Sequence, residues 1–262
     1  LGCKEAIAKE MLAAMPSAAH FHDLFGGGGA VTEAAFACRE NGLFGEWNKW
    51  GRIHYNDIGV GIYRLLQDVW GGKFDYDWAL RQEPSKDKYY ASRRGRSAWG
   101  AFVSSVWSYG CKDSSFMGEH KIGRRDFYKE RVERIRRSPL LLGEIEMTCL
   151  DYRQVEVRTG GIAYCDIPYG GHREYYGKVF NTAEFLEWAA TREFPVYFSC
   201  YDGRFSDGRF QAAWQTERPS RVSKLKRKVV SEGFAGITEE TETFEQYSPR
   251  RQEVLYWNGR LP

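Results

Sequence analysis

The chain has 262 residues, of which 42% are hydrophobic and 28% charged, enough apolar content for a packed core and too much for a disordered or fibrous protein. Charges such as Glu33 and Arg39 break each apolar run short of the roughly 18 residues that cross a bilayer, and Lys4, Glu5, Lys9 and Glu10 interrupt the apolar centre that a secretory signal requires, so an intracellular protein without a membrane partner is expected. The formal net charge is only +3, yet fifteen Lys or Arg face seven Asp or Glu between Arg81 and Pro139, which singles out one region as a candidate partner for a polyanion.

Ile7, Met11, Leu12 and Met15 recur at helical spacing until Pro16, predicting a first helix over residues 4 to 15. AAHFHDLF reads as a strand, Gly26 to Gly29 as a loop, and the following segment as a helix with Val31, Ala34, Ala35 and Cys38 on one face. RIHYNDI and GIYRLLQDVWGG form a second strand and helix, closed by glycines. From Lys73 the chain turns basic, aromatic and rich in Ser and Gly, with a helical period only at FYKERVERIRR. Residues 73–139 therefore read as an insertion between a first part, residues 1–72, and a second part, residues 140–262, of one α/β domain. In the second part EIEMTCLDYRQV, GIAYCDIPYGG and PVYFSCYDG read as strands and NTAEFLEWAATR as a helix. RRQEVLYWN predicts a last, antiparallel strand at the edge of the sheet or inside it.

Alternating strands and helices predict a mostly parallel sheet covered on both faces, with ligands at the carboxyl ends of its strands. Asp23 with the glycine run, Asp57, Asp151 and the Asp166 loop would then converge on one crevice. The glycines allow backbone to approach a ligand closely and aim helix N-terminal amides at it. GGGGAVTE has no lysine for a phosphate-binding loop, and Gly26, Gly28 and Thr32 lack the third glycine of a dinucleotide fingerprint, which disfavours a nicotinamide-dependent oxidoreductase. Acids closing the first two strands suit a ligand with a ribose and a charged amino-acid group, or else are solvated carboxylates beside a tight turn.

The tetrapeptide DIPY, Asp166 to Tyr169, sets a carboxylate next to a backbone carbonyl, and its proline stiffens the loop that carries both acceptors. Such a pair suits an amino group on a planar ring, and an aromatic side chain two residues on can stack on that ring. The plainer alternative is a proline turn with a buried tyrosine. Cys3, Cys38, Cys111, Cys149, Cys165 and Cys200 show no paired spacing and read as reduced, mostly buried thiols. His20 and His22 flank the first strand with no further ligand cluster in sequence, so no metal is expected.

In order and spacing, FHDLFGGGGAVT, YNDI, CLDYRQV and YCDIPYGG resemble the cofactor-binding and catalytic motifs of the Dam-like DNA adenine-N6 methyltransferases. The similarity runs nearly end to end, from GCKEAI through VWSYGCKDSSFMG in the insertion to VFNTAEFLEW and PVYFSCYDG. It implies a Rossmann-like class I methyltransferase fold, with a mostly parallel seven-stranded sheet and a smaller, largely helical DNA-recognition insertion. It also implies S-adenosylmethionine as cofactor without a metal, a flipped adenine in duplex DNA as substrate, and a monomer in the cytoplasm of a bacterial or phage-infected cell. Position by position, Asp23, Phe25, Gly26 and Gly28 would shape the pocket for the methionine part of the cofactor, with Lys4 near its carboxylate. Asp57 would accept from the ribose hydroxyls, and Asp151 from the cofactor's adenine. Asp166 and the carbonyl of Ile167 would accept from the target amino group, with Pro168 holding the loop and Tyr169 stacking on the base.

Two positions depart from the family pattern: Ile167 replaces the first proline of Asp-Pro-Pro-Tyr, and Cys200 stands where an acid often lies between Ser and Tyr. Arg93, Arg94, Arg96, Lys112, Lys121, Arg124 and Arg125, set among aromatic residues, would contact DNA. The stretch RPSRVSKLKRK reads either as a second phosphate contact or as a flexible surface loop. The competing readings are a methyltransferase of the same fold acting on RNA and a catalytically weak DNA-binding module.

Overall fold

The computed structural model describes residues 4–41, 49–93, 95–108, 115–118, 120–168, 174–175, 178–201, 207–219, 223–232, 238–247 and 250–262. Helix α1 (Ala8–Ala13) leads into β1 (Ala18–Asp23), α2 (Ala30–Asn41), β2 (Trp50–Asn56) and α3 (Val60–Trp70). The insertion holds α4 (Tyr76–Arg81), α5 (Lys86–Ser92), α6 (Ala98–Val106), a short hairpin of β3 (Lys121–Ile122) and β4 (Arg125–Asp126), and α7 (Phe127–Arg136). Then follow β5 (Ile145–Thr148), a 3-10 turn (Tyr152–Gln154), β6 (Gly161–Cys165), the hairpin β7 (Glu174–Tyr175) and β8 (Lys178–Val179), and α8 (Thr182–Thr191). The chain closes through β9 (Val196–Tyr201), β10 (Gln211–Pro219), β11 (Ser223–Glu232), β12 (Thr238–Tyr247) and β13 (Arg250–Trp257).

Seven strands form one sheet in the order β10-β13-β9-β6-β1-β2-β5. β5, β2, β1, β6 and β9 run parallel, and β13 is antiparallel to both of its neighbours, β9 and β10. The last strand thus lies inside the sheet. Chain order reverses at β1, which sits between β2 and β6, so the carboxyl end of β1 is a switch point where an open α/β sheet forms its crevice. Alternation along the strands divides the apolar residues between two faces. Phe21, Ile53, Tyr55, Ile162 and Tyr164 pack in one cluster with α1, α2 and α3, while Ala163, Cys165, Phe198 and Val254 pack in the other with Phe185 and Ala189 of α8.

The insertion is more helical than its periodicity indicates. α4, α5 and α6 are each too short to show a clear period, but each starts on a side chain that accepts from a backbone amide of its first turn. Asp75 takes Trp78 N–H at 2.7 Å, Ser85 takes Lys88 N–H at 3.3 Å and Ser97 takes Gly100 N–H at 3.0 Å. Their buried residues, with Tyr128, Val132 and Ile135 of α7, join the same cluster as Leu65, Leu66 and Trp70 of α3. Part of the basic stretch after β10 is extended rather than loop: β11 pairs antiparallel with β12 from Ser223 opposite Tyr247 to Glu232 opposite Thr238. Among the described residues no helix is long and apolar enough to cross a membrane.

Candidate functional site

The glycine run after β1 is held by the end of β2. Gly27 and Gly29 have φ of 48° and 79°, a left-handed conformation that residues with a Cβ avoid. A Cβ at Gly26 would overlap the Tyr55 ring, and one at Gly29 would come within 2.5 Å of Trp70. Gly26 N–H donates to Asn56 O, Gly27 N–H to Asp57 Oδ2 and the Tyr55 hydroxyl to Gly27 O, each at 2.8 Å. The loop is therefore fixed by β2 before any ligand contributes.

Asp23, the last residue of β1, is buried. Its Oδ2 accepts from the Thr32 hydroxyl at 2.7 Å, while Oδ1 is buried without a partner among the described residues. Burial pushes its carboxyl up to about 7, the carboxylates of Asp166 and Asp57 add to the rise, and the Thr32 hydrogen bond opposes it. Asp57 is also buried, its Oδ1 accepting from Gly59 N–H at 2.7 Å and its Oδ2 from Gly27, which joins the loop to the start of α3.

Asn56 has no role in the motif reading, yet it organises this end of the sheet. Its amide donates to Leu24 O and Leu150 O at 3.0 Å, and its Oδ1 accepts from the Thr148 hydroxyl at 2.8 Å and Leu150 N–H at 2.9 Å. One buried side chain thus ties the ends of β1 and β5 to β2. Asp151 begins the 3-10 turn, and both of its oxygens accept from the Arg153 guanidinium at 2.8 Å. Phe25 lies against Tyr152 with ring centroids 5.2 Å apart, and Phe180 and Phe185 complete the aromatic group.

Asp166 directly follows β6 and is partly exposed. Its Oδ1 lies 3.4 Å from Lys4 Nζ and accepts from the Ser199 hydroxyl at 3.3 Å; Ser199 Oγ in turn lies 2.9 Å from the Tyr164 hydroxyl. Lys4 is buried and also pairs with Glu253, a buried acid on β13. Ile167 is 4% exposed and fills the apolar cluster with Leu24, Phe185 and Phe198, which gives a packing reason for isoleucine at this position. Tyr169 lies outside the described residues. Cys165 is buried in the same cluster, and burial holds its thiol well above the ordinary range.

Lys4, Asp23, Asp57 and Asp166 are thus brought to one end of the parallel strands, with Asp151 at the end of β5. Sequence reasoning did not find Asn56, Thr32, Ser199 or Glu253. Glu253 had a signal, an acid directly preceding the apolar run Val254 to Trp257 of the last strand, whereas Asn56 and Ser199 matter only through the neighbours that the sheet gives them.

The basic residues of the insertion fall into separate places. Arg93 lies over the Tyr90 ring at 4.9 Å, and Arg96 is exposed, its carbonyl accepting from Arg64 of α3 at 3.2 Å. Lys121, Arg124 and Arg125 belong to the β3–β4 hairpin, where Arg125 makes a two-pronged pair with Glu130 at 2.9 and 2.6 Å and Lys121 lies 4.0 Å from Asp126. Arg94 and Lys112 lie outside the described residues.

A second polar group occupies the sheet itself. His20 and His22 of β1 meet His54 of β2, with His22 directly opposite His54 in register. Burial, the neighbouring imidazoles and Arg158 push His22 down to about 3; burial and Arg158 push His54 down to about 4 against the pull of Glu146. Both shifts favour the neutral imidazole. No model of a known protein family matches the chain, and no curated protein matches it.

Proposed function

We propose that this chain is an S-adenosylmethionine-dependent DNA adenine-N6 methyltransferase of the Dam-like type, with a class I methyltransferase fold. The observation that carries the reading is the gathering of Lys4, Asp23, the left-handed glycine loop, Asp57 and the Asp166–Pro168 segment at the switch point of a mostly parallel sheet. The residues fit such a cofactor: Asp23 has a buried oxygen without a described partner beside the loop, and the Asp57 carboxylate, an acceptor of the kind that ribose hydroxyls need, closes β2 against the same loop. Asp151 would accept from the adenine of the cofactor, at the cost of sharing its oxygens with Arg153.

S-adenosylmethionine supplies an electrophilic methyl group when bound. The remaining work falls to the chain. An adenine amino nitrogen is a poor nucleophile because its lone pair is delocalised into the ring. Asp166 and the Ile167 carbonyl would accept its two N–H groups, favour the tetrahedral nitrogen and stabilise the positive charge that develops there. Lys4 and Ser199 fix the orientation of the Asp166 carboxylate, and the target base must leave the duplex to reach it. The exposed arginines near the start of α3, Arg96 and Arg64, would meet the phosphate backbone.

The test is labelled methyl transfer to unmethylated duplex DNA with nucleoside analysis, an equal amount of RNA as competitor, and Asp166→Ala as control. N6-methyladenine in DNA that is lost in the variant is the expected result. Tight DNA binding without transfer would overturn the enzymatic reading, and preferential transfer to RNA would overturn the DNA substrate.

A further inference from the structure

The three histidines lie on the sheet face shared with Ala163, where His22 stands opposite both His54 and Ala163, and this observation is independent of the methyl-transfer reading. The crossovers after β1, β2 and β6 carry helices, but the connection from β5 to β6, residues 149–160, carries only the 3-10 turn. Its backbone covers the imidazoles, with Arg158 N–H on His22 Nε2 at 3.3 Å.

His20 Nδ1 and His54 Nε2 face each other at 3.1 Å, and one nitrogen from each of the three rings lies within 4.8 Å of the other two. His22 is 1% exposed; its Nε2 accepts from Arg158 N–H, so the neutral ring carries its proton on Nδ1, which has no partner among the described residues, and a metal would take up this ring only in exchange for the Arg158 bond. A buried imidazole nitrogen left unpaired costs about 1–3 kcal/mol unless something fills its valence. Glu146 Oε2 lies 3.2 Å from His54 Nδ1 and is itself held by Arg158 at 2.6 Å. A carboxylate on the far nitrogen keeps the proton there and turns the lone pair of Nε2 towards His20. Gly161 makes the room: a Cβ there would lie 3.2 Å from His20 Cβ and 3.3 Å from His22 Cδ2. His20 is only half-buried, which leaves a route in from solvent.

We propose that His20, His22 and His54 form a binding site for a divalent transition-metal ion of the zinc class, with Glu146 orienting His54 from behind. Three imidazoles are the ligand set that zinc, nickel and cobalt favour. His22 and His54 now lie face to face with ring centroids 4.1 Å apart, so coordination requires a turn of one ring about its Cβ–Cγ bond, a torsion with broad wells.

The experiment is a titration of the chelator-treated full chain with Co(II), read by visible absorption, and with Zn(II), read by calorimetry. The expected result is one ion per chain with no thiolate charge-transfer band. Glu146→Gln should weaken binding by about tenfold and His20→Ala by more, with unchanged circular dichroism in both; these two positions are chosen because they are accessible and their loss spares the core. Failure of the wild-type chain to take up one equivalent at micromolar metal, a thiolate band, or unchanged affinity in both variants would overturn the site.

Discussion

Lys4 Nζ lies 3.4 Å from Asp166 Oδ1 and pairs at the same time with Glu253, so one buried ammonium bridges a loop carboxylate and a carboxylate of the last strand. Removing one partner of a buried pair leaves the other charge uncompensated, which costs about 3–5 kcal/mol. Lys4→Met should lower stability by about that amount in urea unfolding, and Lys4→Met with Glu253→Leu should recover most of it. Equal losses in the single and double variants would mean that Lys4 contributes by packing alone.

If the chain transfers methyl groups as proposed, Asp166 and Ser199 should separate by kind of effect. Asp166→Ala is expected to reduce kcat by about 100-fold or more. Ser199→Ala removes one orienting hydrogen bond worth about 1 kcal/mol and should lower kcat by several-fold with KM unchanged. A KM effect from Ser199→Ala would place its role in substrate binding.

The raised carboxyl of Asp23 predicts a pH dependence of stability. Its native value of about 7 exceeds the ordinary 3.8, so between those values the native state holds a proton that the unfolded chain has lost. Stability should therefore fall as pH rises through this window, by at most about 1.4 kcal/mol per pH unit, and level off above pH 7. Asp23→Asn keeps an acceptor for Thr32 and should flatten the curve while stabilising the protein at pH 8. Urea unfolding from pH 4 to 9 gives the slope; identical slopes in both proteins would contradict the burial argument.

Gly27 and Gly29 offer a paired test of the loop. Both have positive φ, but a Cβ at Gly27 meets nothing closer than 3.9 Å, whereas one at Gly29 strikes Trp70. Gly27→Ala should cost about 1–2 kcal/mol for the left-handed backbone alone, and Gly29→Ala should cost distinctly more, with a change in tryptophan fluorescence.

If the insertion binds DNA, Arg96 and Arg125 should behave differently. Each phosphate contact contributes a slope of about 0.9 to the dependence of affinity on salt. Arg96→Ala should reduce that slope by about this amount, whereas Arg125, already satisfied by Glu130, should leave it nearly unchanged. Anisotropy titrations across salt concentrations decide between them.

The strands and helices around the crevice were legible because each combines a clear period with a polar or glycine stop, as at Asp23, Asp57 and Asp166. The helices α4 to α6 were not, since six to nine residues barely complete two turns and their evidence lies in the caps Asp75, Ser85 and Ser97. The strand β10 and the hairpin of β11 and β12 were not read from the sequence either, because basic and acidic residues interrupt their apolar alternation. His54 illustrates a further limit. It lies 32 residues from His22 in sequence, and only the parallel register of β1 and β2 makes the two neighbours. Likewise Asn56 stood inside a quoted motif, but its four bonds come from strand ends that no local pattern relates.

The apolar cluster that runs without a break from α3 into α4, α6 and α7 bears on how this protein can diversify. Trp70 and Leu66 rest against the same group of side chains as Phe102 and Tyr128, and the Tyr128 hydroxyl donates to Ala79 O within the insertion. The insertion is therefore not an interchangeable cassette: exchanging it whole would strip the covering from α3 and unseat the sheet beneath. New binding preferences would have to arise by single replacements at exposed positions such as Arg96 and Lys121, which lie outside the shared interior.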